Sequence, residues 1–283
     1  MVPPLGSPYY GVMATTEELE HDQLEDCSAI DLRARFRKDR YAGPTTGLAP
    51  GKLQCNLVIL PEASAESFIA YCKRNPTPCP LVYVGERGNP MLDKLGRGID
   101  VRTDLPAYHI HRDGHTPTQV SDIAEFWQRD FVAILLGCSL SFEEALVNAG
   151  IRLRHLERGG DIAAFRTNRL TKPAGPFGGP LVVSMRAIAT KDAERARRIT
   201  AMFPHAHGAP LDVVDPGSLG IDEIERPDWG DPQDLQADEV PMFWACGVTS
   251  HSALLNARLP MAITHAPGAM LITDLPADQA PVV

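Results

Sequence analysis

The chain predicts an α/β fold, a layered α/β main domain with an inserted smaller α+β lobe, and three observations predict it. The first is the stretch FVAILLGCSLSFEEAL at 131–146. Its unbroken apolar start suits a strand buried on both faces, and the rest suits a turn into a helix. The second is VPMFWACGVTSHSALL at 240–255, which repeats the same order of apolar run, Cys-Gly pair, hydroxyl residues and helix. The third is a change of character near residue 150. Strand-like and helix-like segments alternate before it, and closely spaced strand-like runs with a single helix follow it. These observations divide the chain into an unstructured lead at 1–14, a discontinuous main domain at 15–150 and 204–283, and an inserted lobe at 151–203.

Taken in order, residues 16–40 read as helical, with Ser28 and Asp31 as a capping box and Leu32 and Phe36 on one face. YAGPTTGLAPG at 41–51 is a turn-forming link. Residues 56–60 form a strand ended by Pro61. Ser64 caps a helix that must stop before Asn75-Pro76. Residues 81–84 form a second strand, and 85–105 are polar and rich in glycine. Residues 108–111 form an edge strand, and Ser121-Asp122 start a helix. Ser141 and Glu144 have the spacing of a capping box for the helix after Cys138. In the lobe, 151–156, 162–167 and 181–185 read as strands and 192–202 as a helix. A long proline- and glycine-rich loop covers 203–238, of the kind that is usually functional. Two core strands, 242–245 and 269–273, flank the turn Thr264-His265-Ala266-Pro267-Gly268.

Composition removes several function classes. The chain has 283 residues, 44% of them hydrophobic, enough for a large core. A net charge of −9 argues against nucleic acid. No apolar run is long enough for a bilayer, and the first twenty residues lack the features of a secretory signal. The six cysteines show no CxxC spacing, so a reduced, cytoplasmic protein is expected. A buried strand turning sharply into a helix leaves N–H groups and a positive dipole end at its carboxyl edge, an anion site. Cys138 and Cys246 would each stand at such an edge. The blander alternative treats both as small buried hydrophobes in ordinary turns.

Several segments together resemble one family, the hydro-lyases also called the D-glutamate cyclase family. They are TTGLAPGKLQCNLVILP, RNPTPCP, RTDLP, GCSLSFEEAL, FRTN, GPLVVSMR, FPHAHGAP, RPDWGD, EVPMFWACGVT and ITHAPGAMLITDL, which span most of residues 28–275. The resemblance implies a two-part α/β fold and the conversion of D-glutamate, or a related small amino dicarboxylate, to 5-oxo-D-proline with loss of water. It needs no organic cofactor. The chain departs from the family pattern at Phe165, Asp212, His251 and Ala269, losing a tyrosine hydroxyl and two histidines and gaining one histidine.

Such a reaction requires a carboxylate clamp, an oxyanion site and an acid/base pair. Arg166 and Arg186 are the clamp candidates, because guanidinium binds carboxylate as a bidentate fork. The FRTN and ACGVT motifs add Asn168, Gly247 and Thr249 as substrate-binding candidates. Ser139 and Ser141 could hold the oxyanion, with helix capping the simpler role for Ser141. His207 and His265 are candidates for acid and base, with Asp215 and Glu239 as their partners. Cys138 and Cys246 complete the catalytic candidates. Asp228-Trp229 are expected to shape their loop. A divalent metal on His205, His207, Asp212, Asp215 and His265 is conceivable, but the spacing fits no standard signature, so none is assigned. A small carboxylate is the expected partner, and homo-oligomerisation is left open. Two alternatives stand beside the cyclase. One is cofactor-independent, racemase-like proton transfer by Cys138 and Cys246. The other is a carboxylate-binding protein that has lost catalysis.

Overall fold

The computed structural model describes residues 19–38, 41–158, 160–213 and 215–278. The lead predicted over 1–14 lies outside them. The first half of the chain contains α1 (Ala29–Lys38), β1 (Lys52–Pro61), α2 (Glu62–Arg74), β2 (Leu81–Val84), β3 (Tyr108–His111), β4 (Thr118–Val120), β5 (Phe131–Gly137) and α3 (Leu140–Asn148). The second half contains α4 (Arg154–Arg158), β6 (Ala164–Leu170), β7 (Pro180–Ala189), α5 (Ala193–Ala201), β8 (Glu239–Ala245), α6 (Val248–Ala257), β9 (Ala262–His265) and β10 (Leu271–Pro276).

The strands form two sheets, giving the α/β class expected. Seven strands make the larger, in the order β2-β5-β1-β9-β3-β4, with β10 pairing the first half of β1. The smaller is β6-β7-β8. Every ladder named between these strands is antiparallel. The third strand of the small sheet comes from 239–245, beyond the long loop, and not from the 151–203 segment. At the centre of the large sheet, β5 is buried along its whole length and β1 along all but its end residues, which accounts for their continuous apolar sequence.

The two helices that follow the twin Cys turns exchange sheets. β5 belongs to the large sheet, yet α3 sends Phe142 and Leu146 into a core with Ile188, Met242 and Trp244 of the small one. β8 belongs to the small sheet, yet α6 sends Ala253 and Leu254 into a core with Val58, Leu60, Val132 and Ile134 of the large one. This crossing ties the two layers together and brings the two turns to one cavity. Close backbone approach makes it possible at Gly137, where a Cβ would lie 1.5 Å from the His205 carbonyl oxygen.

Several local expectations are corrected. Ser141 is not a cap, because it lies inside α3, where its hydroxyl accepts the Gln54 N–H at 3.1 Å and ties the helix to β1. Ser64 likewise lies inside α2, which begins directly after Pro61. Residues 151–156 form no strand. Ile151, Leu153 and His155 alternate into the core, but no strand pairs with them, and the chain coils into α4. β3 is not an edge strand, since β9 covers its other side; β9 is Ala262–His265, whose last two residues were expected in a turn. The last core strand starts at Leu271 rather than 269. Asp122 caps only a short 3-10 turn, Ala124–Phe126. The helix expected over 16–40 is α1 preceded by a 3-10 turn at His21–Gln23, and residues 16–18 and 39–40 lie outside the description. Ser28 does cap α1, with its hydroxyl accepting the Asp31 N–H at 3.2 Å, and Leu32 and Phe36 are buried. The polar stretch at 85–105 hides Leu92, Leu95, Ile99, Val101 and Leu105, all fully buried in the large core.

Candidate active site

The twin turns open onto one cavity of about 250 Å³ between the two sheets. Cys138, Ser139 and Leu140 line it from the β5–α3 turn, and Cys246, Gly247 and Val248 from the β8–α6 turn. His251, from the first turn of α6, and His207 and His265, from other segments, complete the lining. Both helices therefore begin at the cavity wall, where the positive ends of their dipoles favour negative charge. The Leu140 N–H faces the Cys138 sulfur and the Val248 N–H faces the Cys246 sulfur, the same contact in each turn. Asn56 sits against Gly247, where a Cβ would come within 2.8 Å of its amide, and gives its own N–H to the Gly137 carbonyl at 2.8 Å. One side chain from β1 thus braces both turns.

Arg186, from β7, lies behind this wall and is almost wholly buried. Its Nε and Nη2 donate to Glu143 Oε1 at 3.2 and 2.5 Å, and Nη2 also donates to Ser139 Oγ at 3.1 Å. Glu143, from α3, further accepts from His155 Nε2 at 3.0 Å. Phe142 and Trp244 place their rings 4.9 and 5.3 Å from the guanidinium carbon. Burial alone would raise the Glu143 carboxyl, but the Arg186 charge and the His155 contact outweigh it and bring the group to about 2. Arg186 is thereby committed to a carboxylate of the protein. Because its N–H occupies a Ser139 lone pair, the Ser139 hydroxyl proton is free to point at the cavity. Burial pushes the Cys138 thiol up to about 12 and also raises Cys246, with Arg186 acting in the opposite sense on both.

The histidines around the cavity are held neutral. Burial, joined by the nearness of other imidazoles or of Arg186, lowers His207, His251 and His265, and also His111 behind them, to about 4 each. Their tautomers depend on their partners. His207 Nδ1 lies 2.9 Å from the Thr77 carbonyl, which can only accept, so Nε2 is a bare acceptor. His265 Nδ1 lies 3.1 Å from the Leu57 N–H and 3.3 Å from the Leu57 carbonyl, so it is placed to accept from one or donate to the other, and Nε2 carries the proton only in the first arrangement. His251 packs its ring 5.3 Å from His111, whose Nε2 bonds the Thr264 hydroxyl and whose Nδ1 has no partner.

The structure brings Cys138, Ser139, His207, Cys246, Gly247 and His265 together and sets the other predicted residues apart. Thr249 is buried behind the wall, where its hydroxyl accepts the Val182 N–H at 3.0 Å. Ser141 faces Gln54, as described. Arg166 is exposed over the Trp229 ring and lines a different cleft with Asp222, Glu223 and Arg226. Asn168 is exposed beside Gly220. Asp215 caps a 3-10 turn, accepting the Gly217 N–H at 3.0 Å. Glu239, at the far end of β8, is held by Arg154. Of the conceivable metal ligands, His207 and His265 line the cavity, while Asp212 and Asp215 are exposed and do not. Among the departures, Phe165 is core, Ala269 is buried, and only His251 faces the cavity.

Sequence reasoning did not single out Glu143, Asn56, Ser184, Asp161 or the cavity role of Trp229. Asn56 carried a signal, as a polar amide directly before the apolar run Leu57–Leu60. Trp229 reaches the cavity because the long loop docks as a bridge on Ala164 of β6, a contact made through the backbone. Its neighbour Asp228 shapes that loop as expected, accepting the Arg166 N–H at 2.8 Å.

The chain is similar to known proteins. The family model for D-glutamate cyclase matches residues 132–274, which include both Cys turns, Glu143, Arg186 and all three cavity histidines. A protein named "Putative hydro-lyase" from Jannaschia sp. (strain CCS1) is 52% identical over 88% of this chain and 94% of its own length. A similarly named protein from Bordetella pertussis is 52% identical over 95% of this chain and 96% of its own. Another from Pseudomonas aeruginosa is 51% identical over 86% and 92%. A solved nitrogen repressor-like protein from Methanococcus jannaschii overlaps with a TM-score of 0.36 at 7% identity, covering 83% of this chain and 91% of its own, which carries no argument. No helix among the described residues is long and apolar enough to cross a membrane. The extent and identity of these matches place the chain in the D-glutamate cyclase family.

Proposed function

We propose that the cavity between the twin turns is the active site of a hydro-lyase that cyclises a small amino dicarboxylate, D-glutamate to 5-oxo-D-proline and water. The observation that carries this reading is that two helix N-termini, each following a strand of a different sheet, line one cavity. A dicarboxylate has two anionic ends, and each helix start favours one of them. The arginine clamp expected from the sequence is replaced by backbone groups and dipoles, since Arg186 is already paired.

The chemistry balances without an external proton donor. Two of the three ammonium protons leave with one carboxylate oxygen as water, and the nitrogen closes on the carboxyl carbon. His207 Nε2, a bare acceptor, takes a proton from the ammonium group and frees the amine to attack. With Nδ1 accepting the Leu57 N–H, His265 Nε2–H and the Ser139 hydroxyl stabilise the carboxyl oxygen as charge grows there; His265 and the His207 imidazolium each give that oxygen one proton for its departure as water, and the second ammonium proton restores His265. The apolar wall holds the substrate folded, and orientation lowers the barrier further. The departure His251 adds a third neutral imidazole to the wall and fits a substrate that differs slightly from that of other family members.

The test is proton NMR of the protein with D-glutamate. Appearance of 5-oxo-D-proline, reduced about 100-fold or more in His207→Gln and His265→Gln, supports the reading. Turnover undiminished in both variants would remove the acid/base assignment. No product from any amino dicarboxylate would leave a binding protein as the better description.

A further inference from the structure

Cys138 and Cys246 have no task in the cyclisation above, yet their placement is matched in detail. Each follows the last residue or near-last residue of a buried strand, each sulfur meets the N–H two residues on, and each stands at the start of a helix of nine or ten residues. They belong to different sheets and line one cavity. Neither forms a disulfide. A pair of ordinary core cysteines gives no reason for both to line a cavity that also holds Ser139 and three histidines.

We infer that Cys138 and Cys246 form a two-base pair that exchanges the α-proton of an amino dicarboxylate bound between them, so that the protein interconverts the two enantiomers as well as cyclising one. The cavity must hold an amino dicarboxylate for this, as proposed above. With the two carboxylates at the two helix starts, Cα lies in the span between the turns and presents opposite faces to the two thiols.

The step conserves atoms and charge. One sulfur starts as thiolate, its proton having gone to solvent, with the N–H two residues on and the Arg186 guanidinium favouring the charged form. It takes the Cα proton from one face, and the carbanion is stabilised by the adjacent carboxylate held at a helix N-terminus. The opposing thiol then delivers its proton to the other face. One C–H and one S–H bond break, one of each forms, and the negative charge has moved from the first sulfur to the second. No oxidant or cofactor is required. Burial strengthens each thiolate as a base once it forms, while the N–H contacts and the Arg186 guanidinium keep its formation within reach.

The test uses the full chain in D₂O with L-glutamate and, separately, D-glutamate, followed by proton NMR of the Cα signal and chiral chromatography. The expected result is inverted product carrying deuterium at Cα while the remaining starting enantiomer stays protiated, the signature of two opposed bases. Cys138→Ser and Cys246→Ser should each lower this exchange about 100-fold or more, with melting temperatures close to that of the unmodified protein. Cys138→Ala and Cys246→Ala repeat the test if a serine variant fails to fold. Formation of 5-oxoproline with no Cα exchange would overturn the proton-transfer pair and leave the cyclase reading intact. Equal deuteration of both enantiomer pools would overturn it by indicating one base. Exchange at the unmodified rate in either variant would also overturn it. Neither exchange nor 5-oxoproline would overturn both readings.

Discussion

Replacing Glu143 with glutamine would leave the Arg186 guanidinium charged at a position where only 1% of its side chain meets solvent. The carboxylate accepts two N–H bonds from Arg186 and one from His155, and a neutral amide oxygen cannot balance the charge they serve. Removing one partner of a buried pair typically costs about 3–5 kcal/mol, because the remaining charge is uncompensated. Titration gives a second route to the magnitude. A carboxyl held at about 2 instead of 4.5 contributes roughly 3 kcal/mol. The sign follows from its direction. Folding lowers the group, so this stability is complete above pH 4.5 and is lost as pH falls through 4.5 towards 2. Urea denaturation at pH 7 should therefore show Glu143→Gln destabilised by about 3 kcal/mol with an unchanged m-value. Its stability should also lose the decline below pH 4.5 that the unmodified protein shows. The double variant Glu143→Leu/Arg186→Met should recover much of the loss, since it removes both charges together. A loss under about 1 kcal/mol, the scale of one ordinary hydrogen bond, would refute the view of Arg186 as a buried cation anchored by Glu143.

The remaining predictions concern the cavity and its surroundings. Four histidines lowered from 6.5 to about 4 make the folded state the weaker proton binder between those values, so melting temperature should drop steeply as pH falls from 6.5 to 4, and His251→Gln should shallow that slope. Because His207 and His265 stay neutral in this range, the acid limb of turnover should centre near pH 4 to 5 rather than 6.5. Gly137→Ala should cost about 3 kcal/mol or prevent folding, measured by thermal melt, because its Cβ meets backbone and not a movable side chain. Arg166→Met, Asn168→Ala and Asp215→Asn should each keep turnover within about twofold, the scale of a few tenths of a kcal/mol, since none of the three lines the cavity.

What could be read from the sequence, and what could not, divides along physical lines. Phe131 to Leu136 and the turn after it were legible because continuous burial leaves an unbroken apolar run. The second Cys turn was legible by its likeness to the first. The local patterns failed where a tertiary partner decides the outcome. Ser141 and Glu144 have capping spacing, but Gln54 of β1 claims the serine. Ile151 to Leu156 alternates like a strand, yet no neighbour pairs with it. Arg186 was legible as a special arginine, but its commitment to Glu143 depends on α3 crossing to the small sheet, which no local pattern records. The histidines show the same limit. His207 and His265 were singled out, but the backbone groups that hold their rings, the carbonyl of Thr77 and the peptide groups of Leu57, lie far away in sequence.

The most direct test of the cavity as the active site is a crystal structure of the protein with 5-oxo-D-proline. The product should lie between the twin turns, with its carboxylate about 3 Å from the N–H groups at the start of α3 or α6 and its ring oxygen facing Ser139 and His265. A product bound instead at the Arg166 cleft, beside Arg226 and Asp228, would contradict the account and restore the arginine clamp.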